Sequence, residues 1–168
     1  DYQEGMSANM AIITTSLTPR LLQETNKEDG ENIHKALQIS TPEAAASFLV
    51  RQKMTGYIFI ATPEKLILVE AAKNDQGKGE YEATTRVIPK TETVVRTNHG
   101  VDLPWAGFQT GYNDNQDMWR KSSENRMSIA EAAVKNANTP EEMLNALCVR
   151  KADDLQMNVF RCENKPRQ

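Results

Sequence analysis

The side chains best suited to chemistry gather in one stretch, 94-VVRTNHGVDLPWAGFQTG-111, with 122-SSENRM-127 shortly after it. Asn98 closes a β-branched run. An amide at a strand end can donate a hydrogen bond to a developing oxyanion or hold a nucleophile. The same residue before His99-Gly100 also suits an ordinary turn, because Asn tolerates left-handed backbone. Arg126 follows two serines that can start a helix. A cation is disfavoured in the positive first turn of a helix, so an arginine there asks for a carboxylate or an anionic ligand, or else points into solvent. Glu124 is too near in sequence to face it across the helix. His99 could be a general base, yet no Ser or Cys is spaced to pair with it and Asp102 is a weak third member; a satisfied loop histidine is the plainer reading. His34 sits in a polar region. Trp105, Phe108, Tyr112 and Trp119 crowd the connection after Gly100, as a pocket wall would, or as a loop pinned by its own rings would.

Other chemistries lack their residues. No phosphate-binding glycine loop, zinc pattern, paired-carboxylate signature or EF-hand loop occurs, and 77-GKG-79 reads as a turn. Cys148 and Cys162 fit no metal spacing and no disulfide framework. Cys148 ends an apolar helical pattern of Met143, Leu144 and Leu147, so it reads as a small buried hydrophobe. No metal and no cofactor is expected.

The elements that must position these residues follow from local pattern. Residues 10–17 read as a strand stopped by Pro19, and 20–33 as a polar stretch with Asp29-Gly30 turn chemistry. In 40-STPEAAASFLVRQK-53, Thr41 is an N-cap, Pro42 suits the first helical position and Glu43 favours the positive end of the dipole. Tyr57–Ala61 and Leu66–Ala71 form a hairpin around Thr62–Lys65, and 73–82 is a polar loop. Residues 84–89 and 92–98 read as two further strands. A helix is expected from about 123 to 137, capped by Ser122 or Ser123, with Arg126 in its first turn. A second Thr-Pro-Glu start opens a helix over 138–150, and 155–168 reads as a short strand and a polar tail. The order predicts an α+β fold with antiparallel strands, since several connections are too short for crossovers.

The 168 residues suggest one domain, 1–168, long enough for a substantial core. With 39% hydrophobic and 26% charged residues and a net charge of −3, the composition is that of an ordinary globular protein. Lys and Arg are scattered, so no nucleic-acid partner is expected. No apolar stretch approaches the roughly 20 residues of a membrane span, so no membrane partner is expected either.

Four stretches, in order, resemble the N-terminal-nucleophile amide hydrolases of the choloylglycine hydrolase and acyl-CoA:6-aminopenicillanate acyltransferase type. They are 5-GMSANMAIITTSLTP-19, similar to a turn and strand of that family, and 56-GYIFIATPEKLILVEAA-72, similar to its hairpin ending in Glu. The others are 96-RTNHG-100, similar to its Thr-Asn-His motif, and 122-SSENRM-127, similar to its Ser-x-x-Arg helix start, followed by 139-TPEEMLNAL-147. The first departs from the family, with Ser7 where Asn is usual and Asn9 where Gly is usual.

The resemblance implies part of an αββα sandwich. It implies a C–N hydrolase or acyltransferase acting on a non-peptide linear amide, with an N-terminal cysteine as nucleophile and its own α-amine as base. Asn98 would hold the oxyanion, Arg126 would lie against the nucleophile, and the backbone N–H of Ser16 would complete the oxyanion hole. Trp105 and Phe108 would border the acyl pocket. The implied partner is a small-molecule amide or acyl donor. Residue 1 is Asp1, and no internal cysteine can combine nucleophile and α-amine. These residues are therefore expected to be the central part of a longer domain, inactive by themselves, with the nucleophile on another segment or partner and a homo-oligomer also open. The alternative is a non-catalytic binding or scaffold protein that keeps the fold without the nucleophile.

Overall fold

The computed structural model describes residues 4–17, 28–73, 80–108 and 114–147. The chain divides into two compact units, Asp1–Met127 and Ser128–Gln168. The first unit is built on a five-stranded antiparallel sheet in sequence order: β1 (Glu4–Met6), β2 (Ala11–Thr15), β3 (Gly56–Ala61), β4 (Leu66–Lys73) and β5 (Tyr81–Ile88). Helices α1 (Asp29–Ala36) and α2 (Pro42–Arg51) lie between β2 and β3 in sequence. Helix α3 (Asp114–Val134) crosses the boundary between units, and α4 (Pro140–Leu147) belongs to the second. The fold is α+β with antiparallel strands, as the element order predicts.

Period-two alternation gives the sheet two different faces. Ile12, Ile58, Ile60, Ile67, Val69 and Ala71 point one way and close a core with Ile33 and Ala36 of α1 and Ala45, Ala46 and Leu49 of α2. On the opposite face Tyr57, Leu68, Ala72 and Ile88 join Leu17 and the loop residues Leu103 and Ala106 in a second core, with Val94 and Trp105 packed against it. No helix among the described residues is long and apolar enough to cross a membrane.

Where the signal is local, expectation and structure agree. Thr41 caps α2, its hydroxyl accepting from the Ala44 N–H at 3.3 Å. The β3–β4 hairpin pairs from Gly56–Ala71 to Ala61–Leu66, and the Thr62 hydroxyl accepts from the Glu64 and Lys65 N–H groups at its turn. Thr139 caps α4 through the Glu142 N–H at 3.1 Å, and the Glu142 carboxylate accepts from the Thr139 N–H at 3.3 Å in return, a reciprocal capping box, and from the Asn138 N–H as well.

Several expectations are corrected. Asp29-Gly30 opens α1 instead of a turn: Asp29 and Glu31 suit its positive end, His34 and Lys35 its last turn, and Ile33 and Ala36 give it a core-facing stripe. Of the polar loop expected over 73–82, Lys73 instead ends β4 and Tyr81 and Glu82 open β5, while 74–79 lie outside the described residues. Residues 92–98 form no strand. After a turn in which the Glu92 N–H donates to the Pro89 carbonyl, the run leaves the sheet: Val94 packs on the second core, Arg96 lies over the Tyr57 ring, and the Thr97 hydroxyl and the Asn98 N–H both donate to Ser123 of α3. The helix expected from 123 begins at Asp114, so Ser122 and Ser123 are interior and Trp119 is helical. Arg126 therefore lies about three turns in, where the dipole argument does not apply. Tyr112, Cys148, Cys162 and the expected 155–168 strand lie outside the described residues.

Candidate functional site

Asn98, Arg126 and Ser16 are brought together. The Arg126 Nη2 donates to Asn98 Oδ1 at 3.0 Å, and Asn98 Nδ2 donates to the Ser16 carbonyl oxygen at 3.2 Å. The two partners fix the amide's orientation, because a guanidinium can only donate and a carbonyl can only accept. The contact uses the Ser16 carbonyl, whereas the family resemblance gives the role to its N–H. Arg126 is exposed and Asn98 half-buried, so this line of groups reaches the surface. An amide nitrogen carries two N–H groups, and the Ser16 carbonyl takes one of them. A cation on the amide oxygen polarises the group and makes its N–H bonds better donors.

The backbone at Asn98 is held from α3. Ser123, wholly buried, accepts from the Asn98 N–H through Oγ at 2.8 Å. Its carbonyl accepts from the Thr97 hydroxyl at 2.9 Å. His99 Nδ1 lies 2.9 Å from Ser123 Oγ and 3.1 Å from Thr97 Oγ1. The single Ser123 proton goes to Thr97 Oγ1, also at 2.9 Å, or to His99, and the neutral imidazole completes the network in either tautomer. Burial above all, with the Arg120 cation next, holds His99 below the usual histidine range. His99 thus has a serine partner that its spacing in the sequence does not show, but the Ser123 hydroxyl is wholly buried and already accepts from the Asn98 N–H, so the pair reads as structural.

The chain after Asn98 is fastened from the sheet. Tyr57, fully buried on β3, donates its hydroxyl to the His99 carbonyl at 2.6 Å. Burial, then the nearby Glu70 charge, pushes its phenol well above the ordinary range, so it remains a donor. Glu70, fully buried on β4, accepts from three successive backbone N–H groups: Val101 and Leu103 on Oε1 at 2.8 and 2.9 Å, and Asp102 on Oε2 at 2.9 Å. Each charge-assisted bond of this kind contributes about 1.5–3 kcal/mol, and together they offset the several kcal/mol that burying a carboxylate costs. Arg96 lies over the Tyr57 ring at 5.7 Å and reaches Asp102 at 4.0 Å.

The loop then closes on itself. The Ala106 N–H donates to Leu103, the Gly100 N–H donates to Ala106, and Gly107 bridges back to His99. Gly107 has φ +75°, and a Cβ there would run into the Asn98 carbonyl oxygen, so this return is open only to glycine. Arg120 of α3 donates from Nη1 to the Pro104 and Phe108 carbonyls at 2.9 and 3.0 Å and pairs through Nε with Glu124 at 2.8 Å. Of the two aromatics expected at an acyl pocket, Trp105 packs half-buried on the second core, and Phe108 meets Trp119 ring to ring with centroids 5.6 Å apart. The loop is a fastened platform.

Sequence reasoning missed Tyr57, Glu70, Ser123 and Arg120 as site residues. Their partners in the 97–108 stretch lie between 12 and 42 positions away along the chain. Glu70 alone carried a signal, as an acid in the otherwise apolar run 66-LILVEAA-72. No group of three or more His, Cys, Asp or Glu side chains among the described residues could hold a metal ion. No protein-family model, no curated protein and no solved structure matches the chain.

Proposed function

We propose that this chain forms the oxyanion-stabilising part of a linear-amide C–N hydrolase or acyltransferase of the N-terminal-nucleophile type, within an αββα sandwich. The observation that carries the reading is the Arg126–Asn98–Ser16 line. In this reading Asn98 keeps its second Nδ2–H for the oxygen of the tetrahedral intermediate, and Arg126 both strengthens that donor and favours a thiolate nearby. The nucleophile would be an N-terminal cysteine carried outside these 168 residues, attacking the amide carbonyl with its α-amine as base. The substrate would be a small non-peptide amide or acyl donor.

The sheet supports the sandwich half of the reading. On the face turned away from α1 and α2, Ile13 is 48% and Met6 81% exposed. Phe59 and Leu66 are only partly buried there. An aligned second sheet would cover such a half-open apolar face.

The test begins with the protein isolated from its own cells, by intact mass and N-terminal sequencing. The expected result is a mature N-terminal cysteine on the polypeptide that contains these residues or on one bound to it, and release of amine from simple N-acyl substrates. Asn98→Ala should slow that release by about 10²–10³-fold, the worth of one oxyanion donor. Unchanged turnover in Asn98→Ala removes its role. Isolated protein with no N-terminal Cys, Ser or Thr, and no covalent capture of an electrophilic amide analogue, returns the molecule to the binding or scaffold alternative.

A further inference from the structure

Tyr57 and Glu70 are direct cross-strand partners in the middle of the sheet, on the face that carries the loop. Between them they grip the chain immediately after Asn98: the Tyr57 hydroxyl holds the His99 carbonyl, and the Glu70 carboxylate holds the N–H groups of residues 101 to 103. We propose that Tyr57 and Glu70 are positioning residues for the Asn98 side chain, so that the β3–β4 hairpin, and not the loop by itself, sets where that amide points. The proposal rests on the reading of Asn98 as the functional donor.

Three consecutive N–H groups converge on one point only where the backbone curls around an anion. Glu70 supplies that anion from inside the fold, in a row whose other members, Leu68 and Ala72, are apolar. A carboxylate is costly in such a place unless its charge is engaged. The curl it holds returns the chain through Leu103 and Ala106 to Gly100, and brings Gly107 against the Asn98 carbonyl. The Asn98 peptide is thus clamped on three sides: by Ser123 at its N–H, by Gly107 at its carbonyl, and by Tyr57 one residue on. Only Ser123 comes from the helix that also carries Arg126. Tyr57 belongs to the hairpin, and the Gly107 return is held both by Glu70 of the hairpin and by Arg120 of the helix, so Asn98 meets Arg126 where sheet and helix agree.

Two single-site variants separate the grips. Glu70→Gln keeps the shape but turns one acceptor into a donor facing an N–H. Tyr57→Phe keeps the ring and removes only the hydroxyl. In the full chain labelled with ¹⁵N, Glu70→Gln should speed hydrogen exchange at Val101, Asp102 and Leu103 about tenfold or more, as expected for losing a charge-assisted bond, and should move the Asn98 side-chain amide resonances. Tyr57→Phe should move the Asn98 resonances with little change in exchange at 101–103. Ile60→Val, a core truncation on the opposite face, should lower stability and leave the Asn98 resonances in place. Asn98 resonances unmoved in both site variants would overturn the proposal, and if Glu70→Gln does not fold, Tyr57→Phe decides it. No substrate enters this readout. Lack of amidase activity would therefore sink the functional reading and leave these shifts, whereas unmoved resonances would sink the positioning role and leave the activity test standing.

Discussion

Ser123 shows how one hydroxyl can organise a site from within a helix. A serine interior to a helix can return its proton to its own backbone, but this one turns outward, where it accepts from the Asn98 N–H and meets His99 and Thr97. Replacing it by alanine removes the acceptor of the Asn98 N–H and leaves His99 Nδ1 with the Thr97 hydroxyl alone. Ser123→Ala should lower the free energy of unfolding by about 1–3 kcal/mol, measurable by urea titration. If stability is unchanged, water replaces the hydroxyl and the network is less dry than its burial implies. Arg126 teaches a complementary lesson. The sequence drew attention to it through an electrostatic argument about a helix start that is not there, yet the residue does meet an acceptor, the Asn98 side-chain oxygen. The contact follows from residue type, a guanidinium donating to an amide carbonyl, with the geometry supplied by α3 and not by a cap.

Among elements, legibility follows the range of the signal. The β3–β4 hairpin, α2 and α4 were readable because their caps, turn and alternation lie within a few residues of one another. The start of α3 was not, because two serines imitate a cap that the helix had no need of eight and nine residues after Asp114. Strand-like residues 92–98 were misread for a related reason: β-branching reports a fit to a pleated surface, while here Arg96 goes to the Tyr57 ring and Thr97 to Ser123. Where α3 meets the loop, a pH dependence follows. His99 is held below its ordinary pKa of 6.5, with Arg120 and Arg126 opposing its charge and Glu124 and Glu70 favouring it, burial deciding the sign. An unfolded histidine takes up a proton below about pH 6.5 that the folded one refuses. Stability from this group is therefore complete above that pH and is lost as pH falls through the depressed folded value. Urea midpoints between pH 7.5 and 5 should decline in the parent and decline less in His99→Gln. Parallel curves would show that the imidazole gains its proton in place.

At the scale of the whole molecule, the question is what the second face of the sheet is for. One face packs against α1 and α2, with Val87 of β5 left exposed at its edge, and the loop that carries Asn98 covers only part of the other. Ile13 pairs across with Phe59 and shares its face with Ala11 and Met6, so an apolar row is left open beside the site. Exposed residues outside special features change stability by no more than about 0.5 kcal/mol when replaced. Ile13→Lys should then be close to neutral in these 168 residues alone, by urea unfolding. If a second sheet completes the sandwich in the protein that carries the nucleophile, the same change buries a lysine without a partner, and the cost rises above 3 kcal/mol or so, as for other uncompensated buried charges. Equal, small effects in both would mean that the face stays open to solvent and that the site is not roofed by a sandwich. A large effect confined to a protein in which a second sheet is present would place the amide, its arginine and the covered sheet in one closed, water-poor site, the setting in which oxyanion donors act most strongly.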